Sequence, residues 1–240
     1  LTPEDIQLRT SEQLIALLKQ KEGFRATAYW DYAQYSIGYG SACTKDEYPN
    51  GITEAQADIL LRQMLQKFET SLDKFLQESS LTLTDNQYDA LISLTYNIGS
   101  GWMKNTRLSN LLQSGNYTNN EIASAIGIWC HVKENGVTSI HDGLVSRRIA
   151  EINVFLYGDY SGSDSGFCWV KFNADKGSCE CDIAFYETGS TYDPFFTANC
   201  GDGDVFSGWY TSDGEELTAG MTVLQNLTVT ARWQSEEFWY

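Results

Sequence analysis

The chain has 240 residues, 42% hydrophobic and 13% aromatic, enough apolar content for packed cores and too much for a disordered chain. Sixteen basic residues against 32 acidic ones give a net charge of −16, which argues against nucleic-acid and anionic-membrane partners. No apolar run approaches the roughly 18 residues of a membrane helix, so the chain reads as soluble. The length suits one large domain or two smaller ones.

In chain order, Ser11 can cap a helix that carries Leu14, Ile15, Leu17 and Leu18 and ends near Glu22. The Tyr-, Trp- and Gly-rich run from Tyr29 to Gly40 reads as a small hairpin region. Thr53 opens a long amphipathic helix through Ile59, Leu60, Met64, Leu65, Phe68, Leu72 and Phe75. Thr84 or Asp85 caps another, with Tyr88, Ala90, Leu91, Leu94 and Ile98 along it. Shorter helices are expected around Leu108–Leu112 and Glu121–Trp129, and a last one from about Leu144 to Leu156.

The pattern then changes. Residues 158–166 are Gly-, Ser- and Asp-rich with little to bury, and read as a linker. Beyond them Cys168–Phe172, Asp182–Tyr186, Val205–Tyr210 and Leu227–Trp233 look like strands of a small β-rich domain. Acidity is concentrated there: residues 158–240 hold 3 basic and 14 acidic residues, against 13 and 18 in residues 1–157. Of the six cysteines, Cys168, Cys179, Cys181 and Cys200 lie in this region, with Cys43 and Cys130 before it. An even, clustered count predicts disulfides and export to an oxidising compartment, although spacing alone cannot choose the pairing. No metal site is expected: Cys179-Glu-Cys181 lacks a second close pair, and His131 and His141 are distant in sequence.

The chemistry-bearing stretch is Glu22-Gly-Phe-Arg-Ala-Thr-Ala-Tyr-Trp-Asp31, followed by Ser36-Ile-Gly-Tyr-Gly40. A glycosidase needs two carboxyl groups flanking the scissile bond, one protonated and one ionised. A helix end followed by a hairpin can hold such a pair across a cleft. At a helix C-terminus the negative end of the dipole favours the protonated form that a general acid requires. Asp31, on a turn nearer to water, suits the ionised role. Taken alone, an acid pair nine residues apart is a common surface feature.

The surrounding residues make the pair specific. Glu22-Gly23, Arg25, Tyr29-Trp-Asp31 and Ser36-Ile-Gly-Tyr39-Gly40 resemble the catalytic segment of phage-type lysozymes, the family 24 glycoside hydrolases. Asp85–Gly99 resembles that family's central buried helix, and Gly143–Phe155 its C-terminal helix. The resemblance spans roughly residues 10–157. It implies Glu22 as general acid, Asp31 as base or water-positioning carboxylate, and Ser36 where the family has a threonine, its hydroxyl helping to hold the attacking water. It also implies that an arginine of the last helix pairs with the glutamate. Register favours Arg147, whose plainer alternative is an ion pair with Glu151 four residues on. Tyr39, Gln87 and Asn97 are candidate substrate-side or supporting residues, and Tyr96 could line the cleft with Gln87 and Asn97, the plainer alternative being core hydrogen bonds. Trp102 and Trp129 read as core aromatics.

Val170–Gly177, Phe206–Thr211 and Leu227–Trp233 resemble the internalin-type B repeat, a small ubiquitin-like module of bacterial surface and secreted proteins. The expected fold is therefore α+β: a mainly helical lysozyme-like domain (1–157) with a small hairpin region, a linker (158–166), and a β-rich, β-grasp domain (167–240). The expected function is a muramidase without cofactor. It would be a secreted or extracytoplasmic monomer of bacterial or prophage origin, acting on peptidoglycan, with a cell-wall or protein ligand for its second domain. A wall-binding protein without activity and a lytic transglycosylase are the alternatives. On this reading the second domain is dispensable for cleavage of soluble wall fragments.

Overall fold

In the computed structural model, which describes residues 2–31, 34–194, 197–201 and 203–235, the chain divides into two compact units. One comprises residues 1–113 and 153–162, the other 114–152 and 163–240. Helices and sheets occur together, in keeping with the expected α+β class. No helix among the described residues is long and apolar enough to cross a membrane.

In the first unit, α1 (Glu12–Glu22) starts where Ser11 Oγ accepts the Leu14 N–H at 3.2 Å. Its buried face is Leu14, Ile15, Leu17 and Leu18, and it ends at Gly23, whose φ of 69° suits a residue without a Cβ. The chain then forms a three-stranded antiparallel sheet, β1 (Arg25–Asp31), β2 (Gln34–Gly38) and β3 (Ser41–Cys43), in that order. α2 (Glu54–Ser79) opens with a reciprocal Thr53–Gln56 capping box. Its inward stripe is Ala57, Leu61, Leu65, Leu72, Phe75 and Leu76. Ile59, Leu60, Met64 and Phe68, expected on that face, flank it half-buried. The face is turned because β2 packs at Ala57: a Cβ on Gly38 would sit 2.9 Å from the Ala57 Cβ, so only glycine fits there.

α3 (Asp85–Ile98) is capped by Thr84, and every residue from Tyr88 to Thr95 is buried, as for a helix packed on all sides. Trp102 is a core residue: it is fully buried and donates its indole N–H to Thr95 Oγ1 at 3.0 Å. α4 (Arg107–Ser114) follows. The 153–162 segment is held to this unit through side chains of α3. Asn86 Nδ2 donates to the Val154 and Phe155 carbonyls, and the Tyr160 hydroxyl donates to Asp89 Oδ2 at 2.6 Å. The first part of the expected linker is thus pinned.

The second unit contains α5 (Asn119–Gly127), the hairpin β4 (His131–Glu134) and β5 (Val137–Ile140), and the greater part of α6 (Asp142–Tyr157). Then come β6 (Phe167–Asn173), β7 (Ser178–Cys179), β8 (Ile183–Glu187), β9 (Ala198–Asn199), β10 (Val205–Tyr210), β11 (Glu216–Leu217) and β12 (Leu227–Gln234). Five of these build one sheet in the order β11-β10-β12-β6-β8, with β12 parallel to β6 and the other pairs antiparallel. Val170, Phe172, Tyr186, Trp209 and Val229 form the centre of its core. The compact units divide the chain differently from the sequence modules, because residues 114–152 pack with the C-terminal strands.

The predicted disulfides are not formed among the described residues, which include all six cysteines. Three of the sulfurs have other contacts. Cys179 Sγ donates to the Cys181 carbonyl at 2.9 Å, Cys181 Sγ donates to the Ile183 carbonyl at 2.7 Å, and Cys168 Sγ lies 3.3 Å from Thr188 Oγ1. Burial pushes the Cys130 thiol up to about 12 and raises Cys179 and Cys43, which disfavours the reactive thiolate.

Candidate active site

Glu22 is the last residue of α1 and is half-buried; Asp31 is the last residue of β1 and is exposed. The positive φ of Gly23 turns the chain from one element into the next. The antiparallel register pairs Tyr29 with Ser36 and Asp31 with Gln34. Residues opposite one another share a face, as do residues two apart, so Tyr29, Asp31 and Ser36 lie on one face of the hairpin. Trp30 and Tyr35 occupy the other, with their rings edge-on at 5.2 Å.

The turn between β2 and β3 brings Glu22 to this region. A Cβ on Gly40 would lie 3.4 Å from the Tyr96 hydroxyl and 3.8 Å from Glu22 Oε2, and Gly40 has φ +91°. The turn is fastened by the Tyr96 hydroxyl, which donates to the Tyr39 carbonyl. Tyr39 is itself buried, in contact with Phe24 at a ring separation of 5.9 Å and with the Lys19 ammonium at 5.7 Å.

Tyr29 connects the two acids electrostatically. Its phenol is held above the ordinary tyrosine value, first by burial and then by the negative charge of Asp31, with Glu22 adding to the rise and Arg25 opposing it. The Arg25 guanidinium stacks on the Tyr29 ring at 4.3 Å. Ser36 is fully buried, and its hydroxyl has no hydrogen-bond partner among the described residues. A buried hydroxyl in that state is uncommon in folded proteins.

The remaining candidates separate. Asn97 sits beside Tyr96 at the C-terminal end of α3 and is exposed. Gln87 is used locally: its side-chain oxygen accepts the Thr84 N–H at 3.0 Å in the capping box. Nine residues of helix, about 13 Å, separate it from Tyr96. In the second unit, Arg147 Nε lies 3.4 Å from Glu151 Oε1, which is the plainer of its two alternatives. The neighbouring Arg148 is fully buried, pairs with Glu151 at 2.8 Å and donates to the Trp129 carbonyl at 3.1 Å. Sequence reading did not single out Tyr29; it offered Tyr96 as lining the cleft, without its bond to the Tyr39 carbonyl. The two-residue period joining Tyr29 to Asp31 was the available signal for the first.

The sequence model described as phage lysozyme matches residues 19–151. The endolysin of Bacillus phage B103 is 34% identical over 155 residues, and that match covers 63% of this chain and 56% of the relative. The chain therefore spans just over half the length of that relative. The endolysin of Acyrthosiphon pisum secondary endosymbiont phage 1 is 33% identical over 150 residues, with 62% of this chain and 98% of the relative covered. Among solved structures, an endolysin from Escherichia coli O157:H7 phage FAHEc1 aligns with a TM-score of 0.57 and 29% identity, over 64% of this chain and 97% of that one. The muramidase domain of SpmX from Asticaccaulis excentricus aligns with a TM-score of 0.54 and 29% identity, over 62% and 99%.

Proposed function

Because this chain belongs to the phage lysozyme family, we propose that it is a muramidase, cleaving the β-1,4 bond between N-acetylmuramic acid and N-acetylglucosamine in peptidoglycan. The observation that carries the reading is the meeting of Glu22 with the Tyr39–Gly40 turn, while Asp31 lies on the neighbouring hairpin and Tyr29 is in the field of both acids. Glu22, protonated, gives its proton to the glycosidic oxygen as the bond to the anomeric carbon breaks. Water attacks that carbon and loses a proton to Asp31, and the Ser36 hydroxyl supplies the water with a polar partner. Attack of water on the opposite face inverts the anomeric centre. Tyr39 supports the turn, Asn97 borders it, and Arg147 serves the second unit as a helix ion pair.

The finer assignment is a family 24 glycoside hydrolase over residues 1–157, joined through 158–166 to an internalin-type B repeat over 167–240. The parallel β6–β12 pair at the middle of a mixed sheet is in keeping with a β-grasp module. The enzyme would work as a secreted or extracytoplasmic monomer of bacterial or prophage origin.

The test is Glu22→Gln, assayed on purified peptidoglycan with a thermal melt as folding control. Turnover should fall by about 10²- to 10⁴-fold with the melt preserved. Undiminished turnover would remove Glu22 from the reaction. Mass spectrometry of the wild-type products should find reducing muramic acid ends; anhydro ends would make the enzyme a transglycosylase.

A further inference from the structure

β8 is an edge strand, so one side of its backbone has no strand partner among the described residues. Helix α5 takes that place. The Phe185 N–H donates to Ser124 Oγ at 2.8 Å, and the same hydroxyl donates to the Phe185 carbonyl at 3.1 Å. One turn earlier on the helix, Asn120 Oδ1 accepts the Glu187 N–H at 2.8 Å and Asn120 Nδ2 donates to Ser190 Oγ at 3.0 Å. Alternate residues of a strand direct their N–H and C=O groups to the same side, and Phe185 and Glu187 are such a pair.

The third member of the stripe is Gly127. Asn120, Ser124 and Gly127 follow the i, i+4, i+7 spacing of one helix face. A Cβ on Gly127 would fall inside the Phe185 ring contact, so glycine lets the helix approach β8 closely. Residues Ile122–Gly127 are all buried, which leaves this part of α5 no solvent face. Next to the helix, both ring nitrogens of His131 meet acceptors, Nδ1 the Ile128 carbonyl and Nε2 the Asp182 carboxylate, each at 2.9 Å. Ile128 itself packs against the core of the five-stranded sheet. The family match ends at residue 151, so this contact joins the lysozyme-type segment to strands outside it.

We propose that α5 is a dock for the β8 edge, and that the C-terminal strands serve the enzyme as a fixed lobe that keeps residues 114–152 folded for cleavage, rather than as a wall-binding head on a tether. This consequence for cleavage rests on the muramidase reading above. Each partner satisfies groups that the other would leave bare. Without the strands, the small polar stripe and the buried side of α5 open to water. Without the helix, the β8 edge is free to pair with another chain.

The test uses the full chain with Asn120→Ala and Ser124→Ala combined, and separately Gly127→Val. Alanine favours helix, so the double variant removes the contacts without weakening α5 itself. It also keeps the test open if Gly127→Val does not fold. Amide hydrogen exchange is read at Phe185 and Glu187, with Trp209 as core reference. Cleavage is read on soluble glycan fragments and on whole walls.

We expect exchange at both amides to quicken by about tenfold or more while Trp209 is unchanged, with turnover falling by a similar factor on both substrates. Unchanged exchange overturns the dock. Quickened exchange with full turnover on soluble fragments, and loss only on whole walls, overturns the fixed lobe in favour of a tethered head. A wild-type protein that cuts neither substrate defeats the muramidase reading, and the exchange measurement then still decides the dock.

Discussion

At Gly40 the proposed site depends on backbone conformation. Its φ of +91° is a region that L-residues with a Cβ rarely adopt, while the added carbon would only touch the Tyr96 hydroxyl at 3.4 Å and Glu22 Oε2 at 3.8 Å. Gly40→Ala should therefore cost roughly 1–2 kcal/mol of stability by urea unfolding. Turnover should fall by more than that loss explains under conditions where the variant is fully folded, because the turn that faces Glu22 has moved. A variant with wild-type turnover would mean that the turn does not set the position of the acid. Ser36 poses the complementary case. Its buried hydroxyl lacks a partner among the described residues, a state that folded proteins seldom keep without water or ligand. Both residues stand in the sequence motif, yet their reasons differ. Glycine at 40 is favoured by its backbone conformation, while serine at 36 is a buried hydroxyl to which the proposal assigns a role.

Among elements, α1 and α2 are joined by a cluster of charged side chains. Arg62 forms two hydrogen bonds of 2.7 Å with the Glu12 carboxylate and a third of 3.0 Å with Asp58, which also pairs with Lys19 at 2.8 Å. The bidentate Arg62 contact holds the Glu12 carboxyl below its ordinary value. A carboxyl whose folded-state pKa is depressed stabilises the fold above its unfolded pKa. That contribution fades as pH falls through the ordinary glutamate range towards the folded value. Glu12 is largely exposed, so solvent screens the effect. Comparing the melting temperature of Glu12→Gln with that of the wild type should therefore reveal a small deficit at neutral pH that closes in acid. A deficit that persists at low pH would assign the effect to packing instead. The caps at this scale were legible. Ser11, Thr53 and Thr84 are polar residues set just before periodic apolar runs, and each accepts the N–H three residues on. The inward face of α2 was less so. Hydrophobicity marks Ile59, Leu60, Met64 and Phe68 as core candidates, but they are half-buried, while Ala57, with a glycine of β2 against it, is fully buried.

Across the whole molecule, the chain returns to its first unit after most of α6 has been built into the second. Asp89 is the buried anchor of that return. Only 1% exposed, it accepts from the Ser11 backbone N–H at 3.1 Å, the Ser11 hydroxyl at 2.5 Å and the Tyr160 hydroxyl at 2.6 Å. Asp89→Ala would strand three donors and loosen both the start of α1 and residues 153–162. Chemical denaturation should register a loss of at least about 2 kcal/mol. A change below about 0.5 kcal/mol would mean that water replaces the carboxylate at no cost.

The α+β class and the choice of Glu22 and Asp31 rested on the family resemblance. Local chemistry by itself sufficed for the helix starts at Ser11, Thr53 and Thr84 and for the strands with alternating burial. Each is expressed within a few neighbours along the chain. The Thr84–Gln87 box that occupies Gln87 is local as well. Two outcomes required the folded chain: the cysteines do not pair, with Cys179 and Cys181 meeting carbonyls instead, and Asn120, Ser124 and Gly127 meet β8. The helix stripe shows why. Asn, Ser and Gly at that spacing have no period of hydrophobicity to announce a buried face. Their use depends on unpaired backbone groups some 60 residues away, which exist only after the sheet has formed and left β8 at its edge.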